Sequence, residues 1–282
     1  EHEALAAPLE RAAASSGGSL RVVKVQRSSC GLEPFPLDQV VSLVQDESCN
    51  VCLVAFSLAS NVTGEVLLED DELSTLVQCC QRRGVPILVD GAQAVGVLPL
   101  HLPSLGVNYF AFGGYKGLRG PHGIGGLYCS PGSYGTALSY CSMGSVNKAG
   151  LEGLVTALRK KASTRQINEA HRLVGRFAQL VAGLSPRVLL HCSERWLGMS
   201  SRGTTLTLSI SIVGMGGEEV ARRLLDHGIY VAGGLHCAPQ AHAALGTLES
   251  GGTVRFSFGP ENTERDLNLA VAALTKIQKD SL

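Results

Sequence analysis

Five residues of this 282-residue chain pair reactive side chains with telling positions. Asp90 closes the apolar run "PILV", and Gln93 follows it within "VDGAQ". Lys116 comes directly after "YFAFGGY", and Asn61 stands in "ASNVTG", just past the apolar run Val51–Phe56. Cys237 lies in "VAGGLHCAPQAH", a glycine-rich polar stretch where the neighbouring His236 can favour a thiolate. A lone carboxylate or ammonium among apolar residues is costly unless something compensates it. A lysine whose pKa is lowered by burial is a nucleophile toward carbonyls, and a buried carboxylate needs a cationic partner.

Pyridoxal phosphate meets both demands, since its aldehyde condenses with an amine and its protonated ring nitrogen pairs with a carboxylate. Gly113, Gly114, Gly117 and Gly120 around Lys116 would let the backbone approach a flat ring and its phosphate closely. Ion pairs of Asp90 and Lys116 with each other or with other side chains would satisfy the two charges equally well. Other patterns fail. "GIGGLY" does not follow a first strand, as a dinucleotide fingerprint must, and "GGYKGL" lacks the spacing and trailing hydroxyl of a phosphate-binding loop. His236, Cys237 and His242 have ligand chemistry but no fixed-spacing partner, so no metal is expected.

These residues need a scaffold that brings strand ends together. Short apolar runs alternate with amphipathic stretches: strands at Leu20–Val25, Asn50–Phe56, Pro86–Val89, Tyr109–Phe112 and Gly126–Cys129 are separated by helical spacings such as Leu37, Val40, Val41, Val44 and Leu73, Leu76, Val77, Cys80. Gly84, after Arg82 and Arg83, reads as a helix stop. The alternation predicts an α/β fold with a mainly parallel sheet, and such sheets bind ligands outside the carboxyl ends of their strands. Beyond Leu151 the texture shifts to one long helical stretch from Leu158 through Val181, strands at Val188–Leu190, Thr205–Val213 and Thr253–Ser257, and a last helix opened by a Thr263/Asp266 capping box. We therefore expect a large domain over residues 1–155 and a smaller α+β C-terminal domain over 156–282.

Formal net charge is zero and the pI near 7.2, which argues against nucleic-acid and polybasic membrane partners. No apolar run reaches membrane-spanning length. The nine cysteines are odd in number and irregularly spaced, which predicts free thiols in the cytoplasm or another reducing compartment. Cys49 and Cys52 are expected to be ordinary strand packing.

Taken in order, the segments resemble the aminotransferase class V family, specifically its cysteine desulfurases and selenocysteine lyases. "EHEALAAPLE" is similar to the segment whose histidine stacks on the cofactor ring, which implies His2. The resemblance further implies Asn61 near the ring hydroxyl and the substrate, Asp90 at the ring nitrogen, Gln93 at the ring hydroxyl and Lys116 as the Schiff-base lysine. "GSVNKAGLEGL" resembles a segment that closes the site of a neighbouring subunit, implying a homodimer. "GGLHCAP" resembles the mobile catalytic loop, implying Cys237 as the thiol that takes sulfur, and "TVRFSFGPENT" implies Arg255 as the grip on the substrate carboxylate. With His2, Lys116 and Cys237 in the catalytic set, the implied fold is the type I fold of pyridoxal-phosphate-dependent transferases. The implied reaction converts L-cysteine to alanine, leaving a persulfide on Cys237 for a sulfur-acceptor protein. Selenocysteine would use the same machinery.

The chain departs from the family pattern in four places. Roughly a hundred residues that precede the "EH" segment in the family, including a phosphate-gripping turn, have no counterpart here, so the chain reads as N-terminally incomplete. Tyr115 replaces a phosphate-binding histidine and supplies one hydroxyl donor without charge. Ala232 replaces an arginine five residues before Cys237. The Cys129–Gly144 segment is shorter than the family's loop. These departures leave open two other readings: a catalytically impaired relative that binds a partner, and a class V enzyme of another reaction type, such as an aminotransferase.

Overall fold

The computed structural model describes residues 1–24, 35–133, 145–192 and 203–279, together with a two-stranded backbone pair, β1 (Arg27–Ser28) and β2 (Gly31–Leu32). Cys30, Cys141 and most of the short loop before Gly144 lie outside the described residues.

The chain opens with α1 (Glu3–Ser15), an element the sequence reading does not contain. His2 caps it, its Nδ1 accepting from the Ala4 amide at 2.9 Å. Within the predicted strand at Leu20–Val25, the described residues 20–24 carry no regular structure, and Leu20 and Val22 are exposed; Val25 lies outside the described residues.

The first sheet has the order β3 (Val54–Ser57), β4 (Ile87–Asp90), β5 (Tyr109–Gly113), β6 (Gly125–Cys129). The β3–β4 and β4–β5 pairings are parallel, whereas β6 returns antiparallel to β5, so the sheet is mixed and mostly parallel. Helices α2 (Leu37–Gln45) and α3 (Asp70–Arg83) bury Val40, Val44, Leu73, Leu76 and Cys80 in its core. The α3 helix ends where Gly84 takes a left-handed φ of 66°. A single turn, α4 (Leu102–Leu105), precedes β5. Cys49 and Cys52 correct the strand-packing expectation: they precede β3, Cys49 donating its thiol to Asp46 at a turn and Cys52 exposed.

The predicted long helix is two helices, α5 (Lys148–Arg159) and α6 (Thr164–Ala182). A capping box between Ser163 and Gln166 starts α6 afresh, because its reciprocal bonds satisfy amide groups that a continuous helix would not leave free. The second sheet is antiparallel throughout, in the order β7 (Val188–Leu190), β8 (Thr207–Ile212), β10 (Thr253–Ser257), β9 (Ala232–Gly234). With α6, α7 (Gly217–Asp226) and α9 (Glu264–Lys279) it encloses a core around Phe177, Leu208, Ile210, Val254 and Leu274. Of the predicted Thr263/Asp266 box one half forms: the Asp266 carboxylate accepts from the Thr263 amide and hydroxyl, and the return bond to the Thr263 hydroxyl is absent among the described residues. A short helix, α8 (Pro239–Leu245), follows the Cys237 segment, where the sequence suggests only a loop. No described helix is long and apolar enough to cross a membrane.

Candidate active site

Asp90 is the last residue of β4 and lies in register with Ser57 of β3 and Ala111 of β5. Its Oδ1 accepts from the Ala92 amide at 2.8 Å, which turns the chain away from the sheet and leaves Gln93 half-buried in the following turn. On the neighbouring strand, Ser57 donates its amide and hydroxyl to the Glu1 carboxylate. That tie anchors the segment carrying His2 beside the end of β4. Nothing in the sequence pattern marks it.

Lys116 sits in the connection between β5 and β6. Three main-chain bonds close this loop on itself: Gly114 N–H to Ile124 at 2.7 Å, and Arg119 to Lys116 and Gly120 to Gly114 at 2.8 Å. The glycines here have a different role from the one expected. A Cβ at Gly117 would collide with the Val95 carbonyl oxygen, and one at Gly114 would press on Ile124 and Leu154. At both positions the space a side chain would take is filled by the protein's own atoms. Tyr115 is half-exposed, and its ring stacks on His122 with centroids 4.4 Å apart.

Arg255 occupies the middle of β10, between Ser209 and Ala232 on the flanking strands. Strand alternation sends Val254 and Phe256 into the core and Arg255 to the opposite face. The guanidinium Nη1 donates to the Asn61 carbonyl at 3.0 Å, while its Nε–H is buried without a partner. Asn61 reaches this position because the loop after β3 is stitched to the second sheet. Thr204 and Thr205 both donate to the Gly64 carbonyl, and Ser209 donates to that of Val62 at 2.6 Å.

The titrating groups show that these residues share one environment. Burial pushes the Lys116 ammonium below the ordinary lysine range; Asp90 and Cys237 oppose the shift and Arg255 adds to it. Burial also lowers His2, helped by Lys116 and opposed by Asp90, so its imidazole favours the neutral form. Arg255 is lowered by burial, with Cys237 and Tyr115 acting against the shift, and it stays charged. His2, Asp90, Lys116, Cys237 and Arg255 are therefore within electrostatic reach of one another. Asp90 and Lys116 feel each other's charge without forming a direct ion pair among the described residues, which removes the simple-pair reading.

Cys237 is exposed, with its carbonyl accepting from the Glu3 amide at 3.0 Å. His236 points its Nε2 at the Thr253 hydroxyl, 3.2 Å away, and burial, followed by Arg255 and His242, drives it down to about 4. Its ring is thus neutral near pH 7 and is no cationic activator of the thiol, contrary to the sequence expectation. His242 is fully buried against Thr247, and no group of three metal-ligating side chains occurs among the described residues. An open cleft of about 460 Å³ lined by His191, Ser211 and Thr247 contains none of the site residues.

The family model for aminotransferase class-V matches residues 1–269. The chain belongs to that family. Among its class-V relatives, a probable cysteine desulfurase of Mycolicibacterium paratuberculosis is 29% identical over 280 residues, covering 89% of this chain and 39% of the relative. A cysteine desulfurase of Synechococcus elongatus is 29% identical over 303 residues, covering all of this chain and 46% of its own length. The chain thus spans about half the length of the curated relatives it matches. Among solved structures, the apo cysteine desulfurase of Thermococcus onnurineus superimposes with a TM-score of 0.84 at 24% identity, over 99% of this chain and 71% of that one. An Escherichia coli cysteine desulfurase in its S-sulfonic acid form gives 0.78, also at 24% identity, over 99% and 70%. The fold is accordingly the type I fold of pyridoxal-phosphate-dependent enzymes.

Proposed function

We propose that this class-V chain takes sulfur from L-cysteine, or selenium from its selenium analogue, in a pyridoxal-phosphate-dependent reaction and leaves it on Cys237. The observation that carries the reading is the placing of an exposed thiol, Cys237, in the same electrostatic environment as a half-buried lysine and a half-buried arginine with spare donors. The donor set fits the ring side of the cofactor. Lys116 has an amine shifted toward its nucleophilic form, Asp90 is a carboxylate without a cation in direct contact among the described residues, and His2 feels both charges, while Gln93 and Asn61 are assigned to the ring hydroxyl by the family resemblance. On the phosphate side, Tyr115 offers a hydroxyl. Bound there, pyridoxal phosphate supplies an electron sink for the substrate's α-carbon.

The chain's own residues do the rest. Arg255 would turn the guanidinium N–H groups not taken by Asn61 to the substrate carboxylate, fixing the amino acid beside Lys116. Lys116, as a free amine, would be the base that moves the α-proton. The Cys237 thiolate attacks the substrate sulfur: an S–S bond forms, the C–S bond breaks, and the released electron pair goes to carbon, which takes up a proton. Cysteine and the Cys237 thiol thereby become alanine and a persulfide. A reducing compartment would keep Cys237 available, a second copy of the chain would complete a homodimer, and an acceptor protein would remove the sulfur.

The test begins with purified chain and pyridoxal phosphate, followed by borohydride and peptide mapping. Label on Lys116, absent in Lys116→Ala, is the expected result. Addition of L-cysteine should then give alanine and a Cys237 peptide heavier by one sulfur atom. Cys237→Ala should keep the cofactor and lose both products. A wild-type chain that takes no label at Lys116 overturns the reading.

A further inference from the structure

The residues around Cys237 form a tight turn of an unusual kind. The Ala238 amide donates to the Leu235 carbonyl at 2.9 Å, and the two central residues, His236 and Cys237, have φ of 52° and 54°. Two positive φ values in succession are the mark of a type I′ turn, which ordinarily takes Gly, Asn or Asp. Histidine and cysteine carry a Cβ that this conformation crowds, so the surroundings must hold them there. Three bonds do so. The Asn61 side-chain amide donates to the His236 carbonyl at 2.8 Å, the Glu3 amide donates to the Cys237 carbonyl at 3.0 Å, and the His236 ring meets the Thr253 hydroxyl. Beneath the turn, Ala238 packs fully buried on Val62, the neighbour of Asn61.

We infer that Asn61 is a positioning residue for Cys237: its side-chain amide latches the left-handed turn that presents the thiol. The same residue's carbonyl receives Arg255, so one loop sets both the nucleophile and the cation placed to grip a substrate carboxylate. This deepens the reading of Cys237 as the sulfur-accepting thiol and rests on it for its meaning, but the latch itself is made entirely by this chain's own residues.

Hydrogen exchange on the full chain, free of cofactor, tests it separately. In Asn61→Asp the donor is lost, and the Ala238 amide should exchange about fivefold faster, the size expected for one net hydrogen bond. The β10 amides of Val254 and Phe256 should keep their wild-type rates. Adding His236→Gly, which accepts a positive φ without strain, should return Ala238 toward the wild-type rate. Asn61→Ser, which introduces no carboxylate, should match Asn61→Asp and stands in if that variant does not fold. An Ala238 rate unchanged in either variant, an acceleration shared equally by β10, or no rescue by glycine overturns the latch. If Cys237 fails to acquire sulfur while the exchange results hold, the functional reading fails and the latch stands.

Discussion

Arg255 Nη1 donates to the Asn61 carbonyl at 3.0 Å across 194 residues of sequence. A residue from the loop after β3 thereby orients the cation at the centre of β10. The bond uses one face of the guanidinium and leaves the buried Nε–H for another acceptor.

In a desulfurase assay, Arg255→Ala should lower kcat/KM for L-cysteine by about 10- to 100-fold, the loss expected for a charge-assisted hydrogen bond to a carboxylate. Most of the change should lie in KM. Arg255→Lys should recover only part of it, because an ammonium cannot reproduce the planar donor fork. Steady-state kinetics with cysteine decides the matter, and an unchanged KM in Arg255→Ala would rule out the assigned grip.

The lowered lysine makes a pH prediction. Reductive labelling of amines by a small aldehyde should reach Lys116 at a lower pH than the solvent-exposed lysines, when both are accessible in the cofactor-free chain. Asp90 raises the Lys116 value, so Asp90→Asn should depress it further and speed labelling near neutral pH. Peptide mapping of the labelled lysines provides the readout. Slower labelling of Lys116 in Asp90→Asn would contradict the electrostatic assignment.

Gly117 should not tolerate a side chain. Gly117→Ala would drive its Cβ into the Val95 carbonyl and the Val97 side chain, at an overpacking cost of about 1–3 kcal/mol. Because Lys116 is the adjacent residue, cofactor affinity should fall together with the melting temperature. Gly123→Ala, with open space at its Cβ, should leave Lys116 in place and lower stability only through its positive φ of 78°.

Stability should fall on acidification through histidines lowered by burial, two of which are His171 and His236. Burial lowers both His171, whose Nε2 faces the Val97 carbonyl, and His236, which reaches about 4. Each binds fewer protons folded than unfolded below the ordinary value of 6.5, so its contribution is complete above that pH and is lost as pH falls through its lowered folded-state pKa, which for His236 is about 4. Melting temperatures measured from pH 7.5 downward should decline through this window. His171→Gln removes one of these titrations, and a slope unchanged by it would exclude His171 as a contributor.

The residues that could do chemistry, and most of the strands that carry them, were legible in the sequence. Apolar runs that stop at Asp90 and before Lys116 are local signals, and the β4–β5 neighbourhood then follows from parallel-sheet geometry. The capping bonds at Ser163 and Thr263 are equally local, although at Ser163 the continuous apolar periodicity concealed the break between α5 and α6. Other features depended on segments far apart in the chain. The bonds from Asn61 to His236, from Glu3 to Cys237 and from Arg255 to Asn61 each engage a main-chain group, and a main-chain group carries no residue-specific signature. The glycines near Lys116 have the same ambiguity: absence of a Cβ allows close approach, but only the packed structure decides whether a ligand or Val95 approaches. The sequence alone therefore determined which side chains were available and at which strand ends. The tertiary structure decided which of them meet, because long-range backbone hydrogen bonding and packing depend on geometry that no local pattern encodes.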